Sequence, residues 1–267
     1  MTKQIIPIII ITLTVALSLQ AQERLFFTEK PYEHVTTDIQ EVVYLYDGSS
    51  LDSYTPKGQR LRNYSEQTAG NITTVDAGIA SKILVFYRES GTITLLNNEL
   101  APIGVPLNLF DKSQMTFSLA AMGSSSKIVL YDDIYQSLLI TDLNLNPINR
   151  TNISFPGEFR AIDMQAVPEH RIALLDTAHG ICLFDFFGTF EREIPIPGIQ
   201  RMQLMKDRIV YLRDGQLWRY DLPSSVTPIN LQPIALELPE ILDFHIGKGV
   251  LYYIDTQHVV WKIPLDS

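Results

Sequence analysis

The stretch "RIALLDTAHGICLFDFFGTF" at positions 171–190 decides the fold. Four apolar residues, Ile172 to Leu175, end at Asp176, and a short polar turn reaches Gly180. A second apolar run, Ile181 to Phe184, ends at Asp185. Short apolar runs bounded by Asp and Gly, rich in Ile, Leu and Phe and without a 3.6-residue rhythm, predict two strands buried on both faces and joined by a tight turn.

The same unit recurs on both sides. It stands as "EVVYLYDGSSL" from Glu41, "KILVFYRESGTITLL" from Lys82, "KIVLYDDIYQSLLITDL" from Lys127, "DRIVYLRDGQLWRYDL" from Asp207 and "GVLYYIDTQHVVWKI" from Gly249. The acids closing each first strand, Asp47, Glu89, Asp132, Asp176, Asp214 and Asp255, are 42, 43, 44, 38 and 41 residues apart. A period near 40 residues marks an array of supersecondary units. Two further strands fit in each period, such as "IGVPLNL" from Ile103 and "MTFSLAA" from Met115, or "EIPIPGI" from Glu193 and "RMQLM" from Arg201. Four short strands per period make a propeller blade, and six periods predict an all-β, six-bladed β-propeller over residues 22–267. Pro106, Pro195 and Pro197 are expected in the outermost strands, where a missing backbone donor costs least.

The chain ends fit a ring. The last unit has three strands, from Ile241, Val250 and His258, while "RLFFTEK" from Arg24 precedes the first full unit without a partner. A ring must not leave a bare sheet edge, so Leu25–Phe27 is expected beside Val259–Trp261. Two tandem sandwiches or one large barrel would use similar strands without matching six units.

Residues 1–21 read as a signal peptide: Lys3 is their only charge, an apolar run spans Ile5 to Leu19, and Leu19-Gln20-Ala21 is a small-residue cleavage site. The run is interrupted by Pro7 and is shorter than the ~20 apolar residues that cross a bilayer, so no membrane span is expected after cleavage. A periplasmic or secreted location follows. The single cysteine, Cys182, excludes an intramolecular disulfide and lies between Ile181 and Leu183, where a buried small hydrophobe is expected. Beyond the leader, 20 Lys and Arg face 30 Asp and Glu, a balance of −10 that repels nucleic acid and anionic membrane.

The unit at 171–190 resembles the repeat of NHL-type propellers, in which an apolar strand ends in Asp and the strand after the turn ends in Phe-Asp. Asp132 with Thr141-Asp142, Asp214 with Tyr220-Asp221, and Asp255-Thr256 keep parts of that pattern, whereas Glu89 and the unit around Asp47 keep little. The resemblance implies a fold used mostly by binding modules, with some lactonase-like and cyclase-like enzymes among its relatives. It does not select a function.

The candidate site is the propeller axis. Asp38, Asp76, Asp163 and Asp243 fall on the expected innermost strands, with Ser118 and Gln203 in the other blades. Converging carboxylates would suit Ca²⁺, which takes six to eight oxygen ligands; acids that cap turns would need no metal. Calcium-dependent lactonase-like relatives imply a mixed Glu, Asn and Asp set that is not found here. His245, two residues from Asp243, shares its face of the strand, as a catalytic pair or as a satisfied structural one. "DTAH" at Asp176 and "DTQH" at Asp255 are expected to be equivalent turns. No nucleophile elbow, zinc-protease helix motif or phosphate-binding glycine loop occurs. Phe186, Phe187 and Phe190 around Gly188 are either an exposed partner patch or packing between blades. Two functions follow: a non-catalytic propeller of the cell envelope that binds a protein or a glycan through one loop face, as a monomer or a complex subunit; or a Ca²⁺-dependent lactonase-like hydrolase at the axis.

Overall fold

A computed structural model describes residues 23–27, 30–79, 81–110, 116–153, 159–222, 231–233, 238 and 240–265. The expected leader at 1–21 lies outside the described residues.

The first strand, β1 (Glu23–Phe27), belongs to the last blade. Blade 1 is β2 (His34–Thr37), β3 (Val43–Asp47), β4 (Ser50–Tyr54) and β5 (Arg60–Ser65). Blade 2 is β6 (Thr74–Ile79), β7 (Lys82–Tyr87), β8 (Thr92–Leu96) and the two-residue β9 (Leu107–Asn108). Blade 3 is β10 (Phe117–Ser124), β11 (Lys127–Asp132), β12 (Ser137–Asp142) and β13 (Pro147–Asn152). Blade 4 is β14 (Asp163–Val167), β15 (Arg171–Asp176), β16 (Gly180–Asp185) and β17 (Phe190–Ile194). Blade 5 is β18 (Arg201–Leu204), β19 (Arg208–Arg213), β20 (Gln216–Asp221) and β21 (Leu231–Pro233). Blade 6 is β22 (Ile241–Gly247), β23 (Val250–Asp255) and β24 (Val259–Pro264), with β1 outermost. The chain is a six-bladed, all-β propeller. In the last blade Phe27 pairs with Val259 and Arg24 with Trp261, antiparallel.

Alternation explains why the second strands are apolar throughout. In β3, Val43 and Leu45 enter the core shared with blade 6, while Tyr44 and Tyr46 enter the core shared with blade 2. In β15, Ile172 and Leu174 face blade 3, and Ala173 and Leu175 face blade 5. Each blade is buried on both sides, so period-two side chains feed two cores and the strand needs no polar face. Fully burying one such Leu or Ile contributes roughly 2 kcal/mol. The outermost strands meet water instead: β5 (RLRNYS) and β13 (PINRTN) are exposed along most of their length.

The turns follow local chemistry. Asp176 Oδ1 accepts from the backbone N–H of Ala178 (2.6 Å) and His179 (3.2 Å), and Asp255 Oδ1 from Gln257 and Val259 (2.9 Å each). Gly180 lies at φ +104°, and a Cβ there would collide with the Ile194 carbonyl, so only glycine fits. Pro195 and Pro197 lie just past β17, and Pro106 just before β9, so they end the outer strands instead of standing within them.

The segment after β1 is fastened to blade 1 by a buried carboxylate. Asp52, fully buried in β4, accepts from Lys30 Nζ (2.9 Å), Arg60 Nε (2.8 Å), Asn63 Nδ2 (3.1 Å) and the Tyr32 hydroxyl. Burial alone would raise its pKa. The bonds from Tyr32, Lys30 and Arg60 outweigh that and hold it below the ordinary carboxylate range.

Candidate functional site

The inner strands of the six blades surround a cavity of about 560 Å³ on the axis. Register sorts its lining into levels. His34, Thr74, Leu119, Asp163, Arg201 and Asp243 pair with Tyr46, Phe86, Tyr131, Leu175, Leu212 and Ile254, each the penultimate residue of its blade's second strand. These six therefore form one ring, at the end of the channel where the inner strands begin. Two residues deeper stand Thr36, Asp76, Gln165, Gln203 and His245, paired with Tyr44, Leu84, Ala173, Val210 and Tyr252, while Ala121 of blade 3, opposite Val129 at this level, is buried and does not line the cavity. Asp38 comes one residue beyond β2, deeper again.

The four acids expected to share one place thus occupy three levels, because the inner strands begin at different registers against their second strands, with a bulge between Ile241 and Asp243 in blade 6. Asp38 caps its own turn, accepting from Gln40 N (2.8 Å), Val42 N (3.0 Å) and the Tyr44 hydroxyl (2.9 Å). Asp76 accepts from Gly78 N (2.9 Å) and, across the blade boundary, from Met122 N (2.8 Å). Only Asp163 and Asp243 share the mouth ring, and Arg201 stands on the strand between them. Ser118 is not among the lining residues: it is buried beside the axis, with its hydroxyl 3.3 Å from the Tyr131 carbonyl. Among the described residues no three His, Cys, Asp or Glu side chains gather closely enough to hold a metal ion.

The second level ties neighbouring blades together. Gln165 Oε1 accepts from Leu204 N (2.9 Å) and its Nε2 donates to the Met202 carbonyl (2.6 Å). Gln203 does the same one blade on, accepting from Ile246 N (2.6 Å) and donating to the Ile246 carbonyl (2.8 Å). An innermost strand shows an unpaired backbone edge to the channel, and an amide with one donor end and one acceptor end satisfies it.

That clasp sets the state of His245. Gln203 Nε2, oriented by Ile246, lies 3.2 Å from His245 Nε2, so that nitrogen accepts and Nδ1 carries the proton toward Thr36 Oγ1 at 3.4 Å. Burial pushes the imidazole down to about 4, against the opposing pull of Asp243. His245 is neutral at physiological pH, and it is bonded to Gln203 and Thr36 instead of Asp243.

Asp243 is held elsewhere in the mouth ring. It accepts from Val35 N (3.0 Å), lies 3.4 Å from His34 Nδ1 and faces Arg201 Nε at 3.6 Å. His34 stacks on Tyr46 with ring centroids 4.7 Å apart. Asp163 accepts from Gln165 Nε2 at 3.1 Å and from the Met164 backbone amide. Burial first, then the charge of Asp243, raises its pKa to about 6, with Arg201 opposing. The sequence reading missed His34, Arg201, Gln165 and Tyr46. The signal was present for two of them: His34 and Arg201 each precede a buried inner-strand residue, Val35 and Met202, as Asp163 precedes Met164.

Other sequence candidates fall outside the axis. The Asp176 and Asp255 turns lie in blades 4 and 6, and their histidines bond away from the axis, His179 Nδ1 within its turn to Asp176 (3.1 Å) and His258 Nδ1 across the chain to the Tyr32 carbonyl (3.0 Å). Phe187 and Phe190 are about half exposed, at 55% and 46%. Phe186 and Phe187 stack at 3.8 Å below Lys127 Nζ, and Phe190 packs edge-on to the buried Phe184 at 5.7 Å. They sit on the face opposite the mouth. Cys182 is buried, and burial pushes its thiol up to about 12.

No family model and no curated protein matches this chain. Solved structures match in fold. The WD40 repeats of RRP9 align with a TM-score of 0.64 at 9% identity, covering 92% of this chain and 97% of that one. Streptogramin B lyase aligns at 0.63 and 11%, covering 92% and 98%. PorZ, described as an essential bacterial surface component of the type-IX secretion system of Porphyromonas gingivalis, aligns at 0.53 and 10%, covering 92% of this chain but 38% of PorZ. At such identities the likeness shows the propeller fold alone.

Proposed function

We propose that this chain is an exported, non-catalytic binding propeller of the cell envelope, periplasmic or secreted, whose partner is a protein or a glycan engaged at the mouth of the axial channel. The observation that carries this reading is how His245 and Asp243, the pair the axis offers for acid–base chemistry, are engaged. Burial holds His245 neutral while Gln203 and Thr36 occupy its two ring nitrogens, and Asp243 is tied to Val35, His34 and Arg201. A general base needs an accessible lone pair and freedom to change protonation. The mouth instead offers a fixed, mixed-polarity rim around a cavity within the ~300–1,000 Å³ typical of ligand sites.

Export rests on the leader alone. The second reading, a Ca²⁺-dependent lactonase-like hydrolase, asks for oxygen donors converging on one point. Arg201 between Asp163 and Asp243 opposes a divalent cation there.

The test is a pull-down from the native envelope with the mature chain and with Asp163→Arg in parallel, the arginine filling the mouth. A partner retained by the first and lost by the second supports the binding role. Identical partner sets overturn it. Ca²⁺-dependent hydrolysis of lactones or esters that disappears in Asp163→Ala would instead establish the hydrolase.

A further inference from the structure

We propose that the channel mouth receives a cationic group carried on an apolar stem, the ammonium or guanidinium end of a lysine- or arginine-like ligand, with Asp163 as its counter-ion. This rests on the binding role proposed above and names the chemistry of that same site.

The mouth ring is two-sided. Going round from blade 4, Asp163, Arg201, Asp243 and His34 form a continuous charged and polar arc, while blades 2 and 3 contribute Thr74 and Leu119. Leu119 is largely buried in the core between blades 3 and 4, so exposed Ile162, next to Asp163, supplies the apolar surface at the rim. A ligand that is charged at one end and aliphatic along its length matches such a rim, as Lys and Arg do when the stem lies on apolar surface and the head reaches polar ground.

The sign of the charge follows from the pairing. Arg201 is engaged by Asp243, and His34 lies against the same carboxylate. Among the ring's carboxylates and guanidinium, two negative charges stand against one positive. Asp38, Asp76 and Asp243 each accept backbone N–H bonds from a turn or a neighbouring blade. Asp163 accepts two bonds, as Asp76 does, from a side-chain amide and its neighbour's backbone, short of the roughly four sites an ionised carboxylate presents, and of the two it is the one that stands in the mouth ring. It also faces the open cavity. A carboxylate held in a low-dielectric site with acceptor capacity unspent gains most from an incoming cation, which would draw its pKa back down.

The experiment uses three uncharged-backbone probes: the Nα-acetyl, C-terminal methylamide derivatives of lysine, norleucine and glutamate. Binding to the mature chain is followed by ligand-observed NMR at millimolar probe and neutral pH. The lysine derivative should bind at least about tenfold more tightly than norleucine, the discrimination expected of one partly desolvated charge pair, and glutamate should not bind. Asp163→Asn should weaken the lysine probe by the same factor. Asp214→Asn, an exposed acid in the β19–β20 turn that does not line the cavity, should leave it unchanged. Equal binding of lysine and norleucine, or equal loss in both variants, overturns the assignment. Binding of the glutamate probe in preference overturns it while leaving a ligand site at the axis. Binding of none of the three overturns it as well, and the paired pull-down with Asp163→Arg then decides separately whether the mouth binds a partner at all.

Discussion

Asp52, fully buried in blade 1, and Asp163, half-buried at the axis, are both carboxylates, and they behave in opposite ways. Asp52 collects two cations, a phenol and an amide, and its pKa is lowered. Asp163 has an amide and a backbone N–H, and its pKa rises to about 6. The difference teaches that burial does not by itself mark a carboxylate as structural or functional; how far its acceptor capacity is spent does. Asp52 fastens the ring where the chain crosses from the last blade to the first, and Asp163 is left with capacity for something that arrives.

The largest way to break the comparison is Asp52→Ala. It strands the buried Tyr32 hydroxyl and releases Lys30 and Arg60, so a loss of about 3 kcal/mol is expected in urea unfolding at neutral pH. Because the folded pKa of Asp52 is lowered, its contribution is present above the unfolded carboxylate value and fades as pH falls through the folded one. The gap between wild type and variant should therefore close in acid.

Gln203→Leu comes next. It removes the clasp on Ile246 without touching a charge and should cost about 2 kcal/mol by the same measurement. His245 would also lose the donor that fixes its tautomer, visible as a changed ring-nitrogen shift in NMR.

Asp163→Asn sharpens the contrast because its effect has the opposite sign. A carboxyl whose folded pKa is raised contributes stability that is fully present below the unfolded value near 3.8 and is lost as pH rises through about 6. Asn removes that loss, so the variant should match wild type near pH 3.5 and exceed it by about 1–2 kcal/mol at pH 8, after allowing for screening by channel water. A variant less stable than wild type at pH 8 would place Asp163 with Asp52 as a structural acid. The smallest effect is expected of Asp214→Asn, an exposed residue at φ +53° that asparagine accepts readily, with thermal stability within about 0.5 kcal/mol of wild type.

Strand identities were legible because each interior strand feeds two apolar cores, so its residues need no polar alternation and the run stands out from the Asp, Gly and Ser that bound it. "ILDFHIG" was read as an inner strand and is β22. The outer strands were read less well. β9 has two residues and the prolines fall outside their strands, because an outer strand is held by one neighbour and leaves little hydrophobic signal. The three phenylalanines divided: Phe190 packs on Phe184 from a half-exposed position, and Phe187 stays open beside Phe186.

From sequence alone came the all-β class, the six units and the presence of acids near the axis, all of which depend on local pattern and period. The tertiary structure alone decided which acids share a level and which are satisfied. Asp243 takes its backbone donor from Val35, 208 residues earlier, and Gln203 takes its own from a strand 43 residues later. Whether a carboxylate has capacity left depends on donors brought by neighbouring blades. Those donors are set by closing the ring, which joins residues that no local pattern connects.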